Sequence, residues 1–321
     1  VPQLNRPLKT FLLAALLLLL ASAATFYCAP IWVNDHLTAL KLSRHGVSSH
    51  YVQVDAYQIH YLESGTTGTP LVLIHGLGAR AEVWANLIPG LTSSGFHVYA
   101  IDLLGFGRSP QPDVDYSMSL QEKTVTGFMQ ALHIPHADIA GWSMGGWVAL
   151  KLTLDHPALV DRLIVFDAAG TYFPPTFDAS LFTPTDAAGL AALTARLSPI
   201  HKPALPGFVA KDAIALLHRN GWVIARSMAS MERGRDLLDF RLEQIHRPTL
   251  VVWGASDELI PASVGEFIAH QIPASSLLLI TGCGHLAPAE CSPAILPRMT
   301  SFLKAPTPQP PTSTTIDGLA P

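Results

Sequence analysis

Residues Ala137–Leu154 read ADIAGWSMGGWVALKLTL. An apolar run enters the segment, Gly141-Trp142-Ser143-Met144-Gly145 follows, and an apolar helical pattern leaves it. That order predicts a strand, a turn too tight for a Cβ at its glycines, and a helix, with the Ser143 hydroxyl lifted above a sheet edge. Working outward, short apolar runs recur on both sides: Leu71–Ile74, Val98–Ile101, Leu163–Phe166, Leu250–Trp253 and Leu277–Ile280. Runs without alternation mark strands buried on both faces, and helical lengths between them predict a parallel sheet. Ahead of them Tyr51–Glu63 alternates apolar and polar residues, with a turn near Asp55-Ala56, which predicts a hairpin. The rhythm breaks between Phe166 and Leu250. There Leu181–Leu197 and Ala210–Met231 look helical around a link containing Pro199, Pro203 and Pro206. The expectation is an α/β fold with a mostly parallel central sheet of about eight strands and helices on both faces. A helical cap is inserted at about 170–245, two ordinary crossover helices being the alternative.

The 321 residues are 49% hydrophobic and only 14% charged, against roughly 25% charged in an average domain. Such a composition excludes disorder for most of the chain. Twenty-four acids against twenty Lys and Arg leave no basic excess to track phosphates, so no nucleic-acid partner is expected. Three Cys build neither a disulfide scaffold nor a Cys-type zinc site.

Phe11–Val33 carries no charge and follows Arg6 and Lys9. It is long enough to span a bilayer and is read as an anchor, with Tyr27 and Trp32 suited to the interface. A signal peptide cleaved at Ala21-Ser22-Ala23 is the rival reading. Either way the catalytic part is expected outside the cytoplasm, tethered in the first case and secreted in the second. Ala305–Pro321 is rich in Pro and Thr and reads as a disordered tail. The chain thus divides into an N-terminal segment (1–33), a catalytic domain (34–304) and a tail (305–321). The oligomeric state is not read from the sequence.

A serine hydroxyl needs a base to act as nucleophile at neutral pH. His285, in Gly282-Cys283-Gly284-His285-Leu286 directly after the run Leu277–Ile280, is the candidate. His133, His136, His156 and His270 stand in surface-like contexts. The imidazole needs a carboxylate. Asp257, after Leu250–Trp253, is preferred, and Asp167, after Leu163–Phe166, is the alternative. Backbone N–H groups of Met144 and Leu77 are the expected oxyanion donors, and His75 is expected to brace the loop that carries Leu77.

From Tyr51 to Leu303 the chain resembles the α/β-hydrolase superfamily. The resemblance rests on His75-Gly76 with Trp84, on Asp102-Leu103-Leu104-Gly105-Phe106-Gly107-Arg108-Ser109, and on the Ser143 turn. Trp253-Gly254 through Asp257, and Gly284-His285, complete it. Within the superfamily it is similar to membrane-anchored monoacylglycerol lipases and related bacterial lipases and esterases. The resemblance implies ester hydrolysis through an acyl-Ser143 intermediate, on a small-molecule or lipid ester, without metal or organic cofactor. Ser143 stands where dehalogenases and epoxide hydrolases have Asp. Leu286 stands where carbon–carbon bond hydrolases often have an aromatic residue. A cofactor-free perhydrolase, a carbon–carbon bond hydrolase and a non-catalytic ligand receptor remain the alternative readings. The cap is apolar (Phe173, Phe177, Leu181, Phe182, Leu190, Leu193, Phe208, Leu216, Leu217, Trp222, Met228) and suits either an acyl pocket or core packing. Cys283 and Cys291 can pair across the His285 loop or remain two buried thiols; Cys28 reads as an apolar filler.

Overall fold

The computed structural model describes residues 6–175, 177–200, 205–305 and 311–318. Nine strands are described: β1 Val47–Val54, β2 Tyr57–Ser64, β3 Thr69–Ile74, β4 Phe96–Ile101, β5 Ala137–Trp142, β6 Val160–Phe166, β7 Thr249–Gly254, β8 Ser275–Thr281 and β9 Ser313–Asp317. The helices are α1 Arg6–Cys28, α2 Pro30–Arg44, α3 Ile88–Ser93, α4 Met118–Ala131 and α5 Met144–Asp155. They continue with α6 Ala187–Leu197, α7 Gly207–Glu232, α8 Ala262–Gln271, α9 Ala287–Glu290 and α10 Ser292–Lys304.

The strands form one sheet in the order β1-β2-β4-β3-β5-β6-β7-β8-β9. The hairpin β1–β2 closes at Val54↔Tyr57, and β2 runs antiparallel to β4; every later pairing is parallel. The continuous apolar runs have a simple cause. In β3, Val72 and Ile74 enter the core on one face of the sheet, while Leu71 and Leu73 enter the core on the other. Both faces are covered by helices, so successive residues must all be apolar.

Two N-terminal helices precede the sheet. All 23 residues of α1 are exposed, and at 1.5 Å per residue it reaches about 35 Å, enough for a hydrocarbon core. α2 then packs against the cap helix α7: Tyr27, near the end of α1, stacks on Phe208 at 5.0 Å, and the Ile31 N–H donates to Asp212 Oδ2 at 3.0 Å. In the cap, α6 and α7 fall on the two expected helical stretches; Pro203 of the expected link lies outside the described residues.

The tail reading needs correction. Residues 306–310 and 319–321 lie outside the described residues, but Ser313–Asp317 is a strand, not disordered chain. It lies parallel to β8 from Leu277↔Ser313 to Thr281↔Asp317. Among the described residues the sheet therefore has nine strands rather than about eight. The reason is backbone, not side chain: the outer edge of β8 offers a row of N–H and C=O groups. A Ser/Thr-rich segment can pair with that row without any apolar pattern to announce it.

One buried charge gives a pH prediction. Asp138 in β5 is fully buried, which pushes its carboxyl up to about 7, while Arg162, 3.9 Å away, pulls the other way. The native state then holds this proton more tightly than the unfolded chain. Stability from this group is full at acid pH and declines as pH rises towards 7, by roughly 1–4 kcal/mol. Asp138→Asn should therefore raise the thermal midpoint at pH 8, with the gain shrinking at pH 5. Equal shifts at both pH values would contradict this.

Candidate active site

β5 ends at Trp142 and α5 begins at Met144, leaving Ser143 alone in the turn at φ 56° and ψ −119°. A non-glycine residue persists in that region only where its surroundings impose it. They do so here. A Cβ on Gly145 would collide with the carbonyls of Ile74 and His75, and one on Gly141 with the backbone of Gly145. The Ser143 N–H is held by the Phe166 carbonyl at 2.9 Å, which fixes the turn to the neighbouring strand β6.

The loops after β7 and β8 bring two residues to that serine. His285 Nε2 lies 2.9 Å from Ser143 Oγ, and His285 Nδ1 lies 2.7 Å from Asp257 Oδ2. The other carboxylate oxygen of Asp257 accepts from the N–H groups of Leu259 and Ile260, at 2.8 and 2.9 Å. Ser143, Asp257 and His285 are all buried, at 9, 8 and 1% exposure. Such a chain can draw the hydroxyl proton onto the imidazole while the carboxylate holds the ring's other N–H. Asp167, the alternative acid, does not reach the ring. Its Oδ1 accepts from the Gly254 N–H at 2.8 Å, and Oδ2 has no partner among the described residues. Burial, and then the charge of Asp257, raise its carboxyl well above the usual carboxylate range.

Leu77 and Met144 both line the cavity beside Ser143. Among the described residues, neither backbone N–H donates to a protein acceptor. His75 braces their loop. Its Nδ1–H donates to the Gly76 carbonyl at 2.8 Å, and Nε2 accepts from the Leu103 N–H at 3.0 Å. Burial lowers its pKa and favours the neutral ring that this arrangement requires.

Two further contacts support the site, one that no sequence pattern announced and one that the sequence left open. The Trp142 indole N–H donates to the His285 carbonyl at 2.7 Å, tying the serine turn to the histidine loop. Cys283 and Cys291 are bonded across that loop, with Cα atoms 6.4 Å apart, which settles the question the sequence left open. A buried tryptophan needs a partner for its N–H, so Trp142 beside the nucleophile was a usable signal, although its partner was not.

The cavity above Ser143 has a volume of about 540 Å³. Phe173, Phe177, Phe182, Leu193, Leu217 and Met228 of the cap line it, while Phe208 is engaged by Tyr27 and Trp222 by Tyr116. The lining includes Glu232 and, among the described residues, no Lys or Arg. Among the described residues no cluster of three or more His, Cys, Asp or Glu is placed to hold a metal ion.

Residues 69–197 match the family model described as the alpha/beta hydrolase fold. A 2-hydroxymuconate semialdehyde hydrolase of Pseudomonas sp. strain CF600 is 32% identical over 251 residues, covering 71% of this chain and 84% of that protein. The chain belongs to the α/β-hydrolase superfamily. A further relative of this α/β-hydrolase is the pimeloyl-[acyl-carrier protein] methyl ester esterase of Aeromonas hydrophila. It is 30% identical, over 68% of this chain and 89% of that one. Among solved structures, a membrane phospholipase A described as a bacterial virulence factor superposes with a TM-score of 0.78 at 28% identity. It covers 92% of this chain and 98% of its own. Hydrolysis is common to these relatives; the bond they cleave is not. Carbon–carbon bond hydrolases of meta-cleavage products stand beside esterases and lipases, a closer balance than the Leu286 argument anticipated.

Proposed function

We propose that this α/β-hydrolase is a serine esterase of lipid-like carboxylic esters, such as monoacylglycerols, tethered to a membrane through α1. The observation that carries the proposal is the cavity. It is apolar, opens on Ser143, counts Glu232 among its lining residues and has no described Lys or Arg there. The names of many relatives denote dioate substrates. A dianion entering a buried site needs a guanidinium, an ammonium or several strong donors. A fatty acyl chain needs only apolar walls, and these walls supply them.

In this mechanism His285 Nε2 takes the Ser143 proton as Oγ attacks the ester carbonyl. The resulting oxyanion is met by the N–H groups of Leu77 and Met144. His285 returns the proton to the departing alkoxide, leaving an acyl-serine. It then deprotonates a water that attacks the same carbonyl, and the carboxylic acid leaves as Ser143 regains its proton. Asp257 holds the imidazole in the required tautomer throughout.

The test is a substrate panel run on the full chain in detergent: p-nitrophenyl esters from acetate to palmitate, 1-monoacylglycerols, and a meta-cleavage dienoate. Medium- and long-chain esters are expected to exceed the dienoate in kcat/KM by about a hundredfold or more, the worth of an unpaired buried carboxylate. The reverse order would replace the esterase reading with carbon–carbon bond hydrolysis.

A further inference from the structure

The loop that carries Leu77 ends at Arg80, and Arg80 is held from the helix that precedes the sheet. Its guanidinium pairs with Asp35 of the N-terminal helix α2. The turn between is short, with the Ala79 N–H donating to the Gly76 carbonyl at 3.2 Å. A displacement of Arg80 is thus passed to Leu77 through only two intervening residues.

Inward from Arg80 the polar contacts are continuous. Arg80 Nε lies 3.3 Å from Glu82 Oε2, and Glu82 Oε1 lies 2.6 Å from Arg108 Nη2. Arg108 Nη1 donates to His60 Nε2 at 3.0 Å, and His60 Nδ1–H donates to Asp102 Oδ2 at 2.7 Å. Asp102 Oδ1 then accepts from the Ala81 N–H at 2.6 Å, which closes the circuit on the residue after Arg80. His60 and Asp102 are fully buried, and the Glu82 side chain is only 9% exposed.

These contacts divide the loop's supports into two kinds. On the inner side, buried groups with fixed partners hold Ala81, and the neutral His75 holds Gly76. On the outer side the support is one ion pair, and its acid belongs to a helix that leads directly into α1. The same helix is pinned to the cap through the Ile31 N–H and Asp212. α2 therefore touches both the loop bearing an oxyanion donor and the helix that roofs the acyl cavity.

We propose that Asp35 is a positioning residue for the reaction: through Arg80 it sets the Leu77 N–H, so turnover depends on how the N-terminal helix pair is seated. The proposal rests on the reading of Ser143 as nucleophile and Leu77 as oxyanion donor. A partly exposed ion pair adds little to stability. Its leverage here is geometric, because an oxyanion donor works only within a few tenths of an ångström of its ideal place. The effect belongs in the transition state, so it should fall on kcat and spare KM.

The test uses the full chain in detergent micelles with p-nitrophenyl butyrate, comparing Asp35→Asn, Asp35→Glu, Arg80→Gln, the Asp35→Asn/Arg80→Gln pair and Ser143→Ala. Asp35→Asn and Arg80→Gln should each lower kcat by about five- to tenfold with KM nearly constant. The pair should be no worse than Arg80→Gln alone, because that change already removes the interaction with Asp35. Asp35→Glu should recover most of the loss. Thermal melts accompany the assays, and Asp35→Asn with Asp35→Glu decides the matter if Arg80→Gln fails to fold. An unchanged kcat in Asp35→Asn, a loss confined to KM, or multiplicative losses in the pair would overturn the proposal. Turnover surviving Ser143→Ala would instead overturn the esterase mechanism beneath it, so the two failures are distinct.

Discussion

Ser143→Ala is expected to lower kcat on p-nitrophenyl butyrate by about 10⁴-fold or more, with little change in thermal midpoint. The expectation follows from the 2.9 Å contact between Ser143 Oγ and His285 Nε2, and from the forced backbone at φ 56° that presents the hydroxyl. Without Oγ no acyl-enzyme can form. The rate that remains is what the oxyanion donors and substrate binding supply to direct attack by water. A fluorophosphonate probe should label the parent chain and leave the variant untouched. Activity within tenfold of the parent would rule out covalent catalysis at this serine.

The second large effect separates two buried carboxylates. Asp257→Asn should reduce kcat by about 10⁴-fold, because an amide in place of the carboxylate favours the wrong imidazole tautomer and cannot stabilise the imidazolium. Asp167→Asn should change kcat by no more than about threefold. Burial and the charge of Asp257 keep the Asp167 carboxyl protonated well above the ordinary range. An amide is close in shape to that neutral acid, and its oxygen can still accept from the Gly254 N–H. Similar losses in the two variants would mean that both carboxylates serve the histidine. Loss in Asp167→Asn alone would transfer the orienting role from Asp257.

Much of this site could be read along the chain because its parts are local. A strand, a glycine turn and a helix around Ser143 form one contiguous pattern, and His285 and Asp257 each follow directly on an apolar run. In a parallel sheet the strand ends share one edge, so residues placed just after different strands meet without any long-range signal. The choice between Asp257 and Asp167 was different. Both follow buried strands, and only the paths of their loops decide which carboxylate reaches Nδ1 and which caps the Gly254 N–H.

The apolar runs, the helical insertion and the uncharged N-terminal segment were determined by the order of residue types alone. Burial of alternate side chains on two faces, helical periodicity and the cost of charge in hydrocarbon are properties of short windows. The ninth strand, the Trp142–His285 link, the Cys283–Cys291 bond and the Asp35–Arg80–Glu82–Arg108–His60–Asp102 circuit were decided only in three dimensions. A polar side chain or a free strand edge declares that it needs a partner. Which partner it finds depends on what the folded chain brings within about 3 Å, and no spacing in the sequence encodes that distance.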